Sequence, residues 1–368
     1  MFKNILPQLN IGGLIARVPI IQGGMGVGIS LSGMVSAVAN AGGIGVLATP
    51  GIGLSEPDLK ENFIAANNRA LAKQIKLCRE KTKGLIGVNI MYALTNYEEL
   101  SRTAIKEGID FIFSGAGLPM NLPEFLGGST KTKLVPIVSS GRAAKILAHR
   151  WMNKYNYTPD AFVVEGPLAG GHIGFKFENI DSPEFALEKL LAEVLEVTAE
   201  IEKKTGRKIP IITGGGIFTG ADIKRFLDLG ASGVQMATRF VATDECDADP
   251  VFKQAYLSCK EEDMVVIKSP VGMPGRAIKN KFIEESEKGK KQPFECPYHC
   301  IITCDVVNAP YCIALSLLNA QKGEMDHGFA FAGKNAYRVT EIVPVQKLID
   351  TLAGEFDKAT EEQLKNKQ

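Results

Sequence analysis

Apolar residues in this chain gather in short unbroken runs rather than in strict alternation with polar ones. Eight such runs, at residues 18–25, 44–49, 85–91, 111–117, 135–140, 161–165, 209–216 and 233–240, are bounded by glycine or a turn. Continuous hydrophobicity means that both faces of an extended segment are covered, the mark of parallel strands sandwiched between helices. Helical spacing over 31–41, 57–80, 97–107, 141–152, 184–204, 220–229 and 250–260 fills the intervals. Only the link from the fourth run to the fifth is weak, because residues 120–128 carry proline and glycine. Eight successive β-then-α units predict an α/β fold, a (β/α)8 TIM barrel, whose working groups sit at the C-terminal ends of the strands. The rival architecture, a doubly wound open sheet, usually has fewer strands.

The barrel is expected to close near Phe240, which divides the chain into a barrel over 1–260 and a loop and helical cap over 261–368, packed on it. Residues 263–281 read as a loop, since Pro270, Gly272, Pro274 and Gly275 cluster there. Residues 287–291 read as an exposed charged turn, 314–320 and 343–356 as amphipathic helices, and the charged stretch 358–368 as an end that frays. No repeat beyond the β/α unit and no low-complexity linker separates the two parts.

Composition narrows the class. With 368 residues, 45% of them hydrophobic, the chain can bury a large core, and 42 Lys+Arg against 41 Asp+Glu give no bulk attraction to nucleic acid. No apolar run reaches the roughly 18 residues that span a bilayer. The opening residues 1–7 are too few and too soon broken by polar residues and proline for a secretory signal, so the cytoplasm is the expected location. Seven cysteines, an odd number in a long chain, do not suggest a disulfide framework.

Candidate chemistry collects at the ends of the runs. The sixth run ends in Glu165 and opens into a loop with Gly170, Gly171, His172 and Gly174. Glycine beside His172 lets a ligand approach the backbone, where an imidazole serves as acid, base or donor; a histidine packed under a loop is the plain alternative. Glu165, at the end of a buried strand, must be paired or hydrogen-bonded, by His172 or by the hydroxyls or N–H groups of a cofactor. Gly214, Gly215 and Gly216 end the seventh run just before a helix, where bare amides suit an anion, and the seventh and eighth loops of a barrel are the usual phosphate site. The eighth run contributes Gln235, Met236, Ala237 and Thr238. At the first run, Gly23, Gly24 and Met25 offer bare backbone and a soft thioether on which a planar cofactor can lie. Asn89 interrupts the third run with a group that is both donor and acceptor; it suits the polar edge of a heterocycle, or a bond to neighbouring backbone.

Cys296, Cys300, Cys304 and Cys312, with His299, form a dense cluster in the tail. Such density suits zinc or an iron–sulfur cluster, but the spacing matches neither the usual two-residue zinc knuckle nor common ferredoxin runs. If residues 298–308 are helical, Cys300 and Cys304 share a face and packing accounts for them, so no metal is assigned. Cys78, Cys246 and Cys259 read as buried thiols, His149 as exposed, and His327 as part of a lid loop. Arg276 and Asn280 suit the barrel mouth or ordinary surface contacts equally.

Taken together, the Gln22–Met25 stretch, residues 87–91, Glu165 with residues 170–174, residues 213–217 and residues 235–240 resemble the nitronate monooxygenases, formerly 2-nitropropane dioxygenases. The likeness runs from about residue 12 to Asn280 and, more loosely, through 335–339. The FMN-dependent barrel-type enoyl-ACP reductases and related NAD(P)H:quinone reductases share the pattern. The resemblance implies a flavoprotein with FMN phosphate at Gly214, Gly215, Gly216, Ala237 and Thr238. It implies a ring near Gly23, Gly24, Met25, Asn89 and Gln235, with Glu165, Gly171 and Met236 in the same cofactor site and His172 facing the substrate. The implied reaction is oxidation of alkyl nitronates with O2; the alternative is NAD(P)H-dependent reduction of enoyl thioesters or quinones. No Gly-x-Gly-x-x-Gly follows a strand, so a Rossmann nicotinamide site is not indicated. A third reading, from a different class, is a catalytically silent barrel that binds a phosphorylated ligand. The expected partners are a small molecule and O2 or NAD(P)H, with neither nucleic acid nor membrane, and a homodimer is compatible with the sequence.

Overall fold

Each apolar run supplies a strand buried on both sides. In the computed structural model, which describes residues 6–366, the barrel strands are β1 (Ile20–Gln22), β2 (Gly45–Ala48), β3 (Ile86–Met91), β4 (Phe111–Gly115), β5 (Lys133–Val138), β6 (Phe162–Glu165), β7 (Ile211–Gly214) and β8 (Gly233–Met236). Residues 1–5, on which the expectation about a signal partly rests, and 367–368 of the stretch expected to fray lie outside the described residues. The sheet order is β1-β8-β7-β6-β5-β4-β3-β2, with every ladder parallel. A parallel bridge between Ile21 and Ile44 closes it: Gln22 N–H donates to the Ile44 carbonyl at 3.0 Å and Ile44 N–H to that of Ile20 at 3.0 Å.

Inside the barrel, Ile21, Val46, Phe111, Phe113, Val135, Val163 and Ile212 pack on one another. Leu9, Ile11 and Ala16, from the hairpin Leu9–Ile11 and Leu14–Ala16, plug the N-terminal end of this stack. The alternate residues Val88, Ile112, Leu134, Phe162, Val164 and Val234 face the helices. Two apolar faces per strand are what the unbroken runs encode. The plugged end leaves the C-terminal strand ends as the open side.

Helices follow most strands: Ser32–Asn40, Phe63–Lys81, Tyr97–Lys106, Gly141–Tyr155, Leu187–Thr205, Gly220–Asp228 and, after a short turn of helix Thr238–Val241, Pro250–Ser258. Between β4 and β5 there is only the 3-10 turn Leu122–Leu126, where proline and glycine had weakened the pattern. The second helix starts at Phe63 rather than residue 57, since residues 57–62 form turns.

The tail differs from expectation in two places. Residues 263–281 are not a loop: Met264–Lys268 and Pro274–Ile278 form an antiparallel hairpin, and Gly171–His172 joins it as a third strand through Gly275 and Arg276. The proline and glycine signals belong to its turn, and the third strand comes from about a hundred residues earlier, beyond the reach of local pattern. The charged end does not fray at 358, because one helix runs over Val345–Lys365. Its apolar side, Val345, Leu348, Leu352 and Phe356, is buried. It meets helix Gly220–Asp228 so closely that a Cβ on Gly220 would lie 2.1 Å from the Leu352 carbonyl oxygen. No helix among the described residues is long and apolar enough to cross a membrane.

Candidate active site

A cavity of about 310 Å³ opens at the C-terminal strand ends. Its wall carries Gly23, Gly24 and Met25 after β1, Asn89 from β3, and Glu165 from the end of β6. Gly171 and His172 come from the following loop, Gly215 and Gly216 from beyond β7, and Gln235, Met236, Ala237 and Thr238 from the end of β8. Of the residues that the resemblance assigns to the cofactor and to catalysis only Gly214 stays off the wall. It lies one step down in β7, where a Cβ would stand 3.5 Å from that of Gln235.

The turn after β7 needs glycine for two reasons. Gly215 and Gly216 have φ of +97° and +86°, and a Cβ on Gly215 would come within 2.8 Å of the Gly166 carbonyl oxygen. Among the described residues no hydrogen bond takes the N–H groups of Gly215, Gly216 or Ile217, so they remain available to an anion. The helix behind is already served: Thr219 and Asp222 form a capping box, and the Glu355 carboxylate accepts the Gly220 N–H at 2.6 Å. From the tail, Asn335 Nδ2 donates to the Gly216 carbonyl at 2.7 Å and Gly333 N–H to Thr238 Oγ1 at 3.1 Å, fixing both halves of this rim.

On the wall the side chains of Asn89, Glu165 and Gln235 have no hydrogen-bond partner among the described residues, and Asn96 Nδ2 is likewise unpaired. Burial alone pushes the Glu165 carboxyl up to about 7. The expected choice between His172 and a cofactor as its partner is narrowed, because the imidazole is engaged elsewhere. His172 Nε2 lies 2.8 Å from Ser269 Oγ, and its ring stands edge-to-face on Phe331 with centroids 5.0 Å apart. Burial pulls His172 down to about 4, so at neutral pH it is an uncharged imidazole able to accept a proton.

Several contributors escaped the sequence reading. Arg276, read as equally suited to the surface, is 2% exposed and donates through Nη1 to the carbonyls of Pro167 at 2.6 Å and Ala169 at 2.9 Å, holding the loop after β6. Asn280 does bind backbone, at Met325 and Gly328, away from the wall. Ser269, Phe331, Gly333 and Asn335 all lie in the tail, and Gly170 lets it in: a Cβ there would be 2.5 Å from the Gly333 nitrogen. The only available signal was glycine itself. Val27 and Ala116, non-glycine residues at φ of +56° and +54°, also line the cavity, which places backbone strain on its wall.

Above this polar floor the wall is apolar, with Leu54, Leu59, Phe63, Leu94, Ile313 and Leu317. Tyr298 stacks on Phe63 at 4.6 Å. Residues 298–308 are turns and a bridge, not the helix on which the packing account of Cys300 and Cys304 depended. Cys78, Cys246 and Cys259 are buried, His149 is exposed, and His327 is exposed and off the wall.

The sequence profile of a family described as nitronate monooxygenase matches residues 10–355. A probable nitronate monooxygenase of Bacillus subtilis is 25% identical over 92% of this chain and 95% of its own. A Mycobacterium tuberculosis protein, (3aS,4S,5R,7aS)-5-hydroxy-7a-methyl-1-oxo-octahydro-1H-indene-4-carboxyl-CoA dehydrogenase, is 29% identical over 74% of this chain and 66% of its own. Among solved structures, FabK from Thermotoga maritima superposes with a TM-score of 0.73 at 28% identity, covering 96% of both chains. A nitroalkane oxidase from Streptomyces ansochromogenes, at 22% identity, gives 0.73 over 95% of this chain and 98% of its own and supports the barrel fold.

Proposed function

The chain belongs to the nitronate monooxygenase family and is an oxidoreductase, and from that premise we propose that it binds FMN at the barrel mouth and oxidises alkyl nitronates with O2. One observation carries this reading: uncommitted amides at Gly215, Gly216 and Ile217 and uncommitted side chains at Asn89, Glu165 and Gln235 converge on one cavity with a neutral histidine. The residues fit the group. Free N–H groups beside Thr238 suit a dianionic phosphate. Gly24 keeps the floor flat, since a Cβ there would lie 2.7 Å from that of Asn89. A protonated or hydrogen-bonded Glu165 suits a hydroxyl or ring N–H.

When bound, the flavin supplies the electron acceptor and the reaction with dioxygen. The chain's own residues position and exchange protons. His172 takes the α-proton of a neutral nitroalkane or holds the nitro oxygens of the anion. Ser269 fixes the imidazole plane through Nε2, and Phe331 supports its face. An anionic nitronate beside the ring raises its basicity from the low value that burial sets. The apolar upper wall excludes water from the reacting carbon.

That upper wall also favours a second reading, NAD(P)H-dependent reduction of an enoyl thioester or quinone, because a small nitroalkane does not need so long an apolar surface. Anaerobic mixing with NAD(P)H, paired with an aerobic oxygen-uptake assay on alkyl nitronate, separates the two. The first reading expects O2 uptake with alkyl nitronate and no bleaching by NAD(P)H; bleaching by NAD(P)H without nitronate turnover transfers the assignment to the reductase. A colourless protein that takes up no flavin removes both and leaves a phosphorylated-ligand binder. Gly215→Val should empty the site, through strain and the 2.8 Å approach to Gly166; full FMN occupancy in that variant would refute the phosphate placement. The same reading places the enzyme in the cytoplasm.

A further inference from the structure

Two wholly buried polar side chains, Gln22 and Ser30, sit off the cavity wall but flank the turn Gly23-Gly24-Met25 that lies on it. The backbones of β1 and β2 part at this point. Past the Ile21–Ile44 bridge, a continued parallel ladder would send the Val46 N–H to the Gln22 carbonyl and the Gly24 N–H to that of Val46. Instead the Gly23 N–H turns to the Met236 carbonyl of β8 at 2.8 Å, and the Gln22 side chain fills the gap, its Oε1 accepting the Val46 N–H at 3.0 Å. Closing the seam takes only that bond. Both N–H groups of the same carboxamide go to the turn, because Nε2 donates to the Gly23 carbonyl at 2.5 Å and to Ser30 Oγ at 3.0 Å.

Ser30 grips Met25 twice. Its N–H donates to the Met25 carbonyl at 3.0 Å, and its Oγ accepts the Met25 N–H at 2.9 Å. The Ala48 N–H at the end of β2 donates to the Ser30 carbonyl at 3.3 Å, and the hydroxyl proton faces Met34 Sδ at 4.0 Å. The N–H and carbonyl of Gly23 and of Met25, at the two ends of the turn, are therefore engaged or held. The Gly24 N–H between them is not. Among the described residues no hydrogen bond takes it, and Gly24 lies on the wall against Asn89, whose carboxamide is also uncommitted.

We propose that Gln22 and Ser30 are positioning residues: they hold the Gly24 N–H as a fixed donor on the cavity floor and so set how strongly the site prefers reduced over oxidised flavin. The inference rests on the FMN reading above. A reduced flavin ring carries more negative charge than an oxidised one, and a donor bonds more strongly to the more negative acceptor. Slack in the turn therefore costs affinity for the reduced form more than for the oxidised form, and the potential of the bound flavin falls.

Ser30→Ala removes the acceptor of the Met25 N–H, and Gln22→Met keeps the length of the side chain without its carboxamide. In each variant the ratio of reduced to oxidised FMN affinity should fall about tenfold, which lowers the two-electron potential by about 30 mV. Potentiometric titration of the flavin-loaded protein reads this without turnover. Asp160→Asn, at the plugged end of the barrel, is the control: it should lose stability and leave the potential unchanged. Circular dichroism checks the fold of each variant, and either of the two carries the test if the other does not fold. Variants that bind FMN at the parent's potential would overturn this inference alone, as would an equal shift in Asp160→Asn, which would make the shift a consequence of general loosening. A parent that takes up no FMN would overturn the FMN reading and this inference with it.

Discussion

Two acidic residues bracket the same strand and are treated oppositely. Asp160, just before β6 at the plugged end, is 4% exposed and fully committed: Leu134 N–H donates to Oδ2 at 2.9 Å, the Tyr157 hydroxyl donates to the same oxygen, and Arg207 reaches Oδ1 at 3.3 Å. Five residues later, Glu165 ends β6 at the open mouth without a partner among the described residues. A buried carboxylate loses hydration and is costly unless it is paired or protonated. One end of the barrel spends its polar groups on holding the chain; the other leaves Asn89, Glu165 and Gln235 for a ligand. Stability and chemistry are therefore separable along a single strand.

The largest effect expected from that division is on turnover. His172→Ala should retain FMN and the thermal midpoint while losing roughly 10²- to 10⁴-fold in turnover of the neutral nitroalkane, about 3–5 kcal/mol of barrier. Steady-state rates at matched flavin occupancy test it, and unchanged turnover removes the imidazole from the mechanism. At the plugged end the sign reverses. Asp160→Asn turns an acceptor toward the Leu134 and Tyr157 donors into a group that is partly a donor, and should cost about 2–4 kcal/mol. Urea denaturation reads that loss, with activity per folded molecule unchanged. A variant as stable as the parent would mean that the Asp160 contacts carry no net energy, and the division between the ends would fail.

The barrel was legible because its signal is local: each strand carries its own apolar run, and each helix its own period. The wall was legible for the same reason, since residues such as Gly23, Asn89 and Glu165 sit at run ends, and position along a strand is position around a rim. What was not legible came from pairing at a distance. Arg276 suited the barrel mouth and the surface equally, because the carbonyls that bury it, Pro167 and Ala169, are about a hundred residues away. Ser269 fell in a stretch rich in proline and glycine that reads as loop, and only its contact with His172 gives it a role. Val345–Lys365 looked frayed at its charged end, because the helix it docks on does not appear in local composition.

The smallest effect is the sharpest test of the contrast between Asp160 and Glu165, because it reads a proton rather than a fold. Burial raises Glu165 from 4.5 to about 7, so the folded, flavin-free protein holds that proton more tightly than the unfolded chain. Its contribution is fully present below about 4.5 and is lost as pH rises through 7. His172 runs the other way: lowered from 6.5 to about 4, it contributes stability above 6.5 that is lost as pH falls through 4. Between pH 4.5 and 6.5 the two slopes oppose, and the flavin-free parent should be nearly flat. Glu165→Gln removes one slope, so the variant's stability should climb by about 1–2 kcal/mol across that window, after discounting for access of water from the cavity. Urea midpoints at a series of pH values measure it. A variant as flat as the parent would mean that Glu165 is already paired as Asp160 is, and that the mouth keeps no carboxyl in reserve for a ligand.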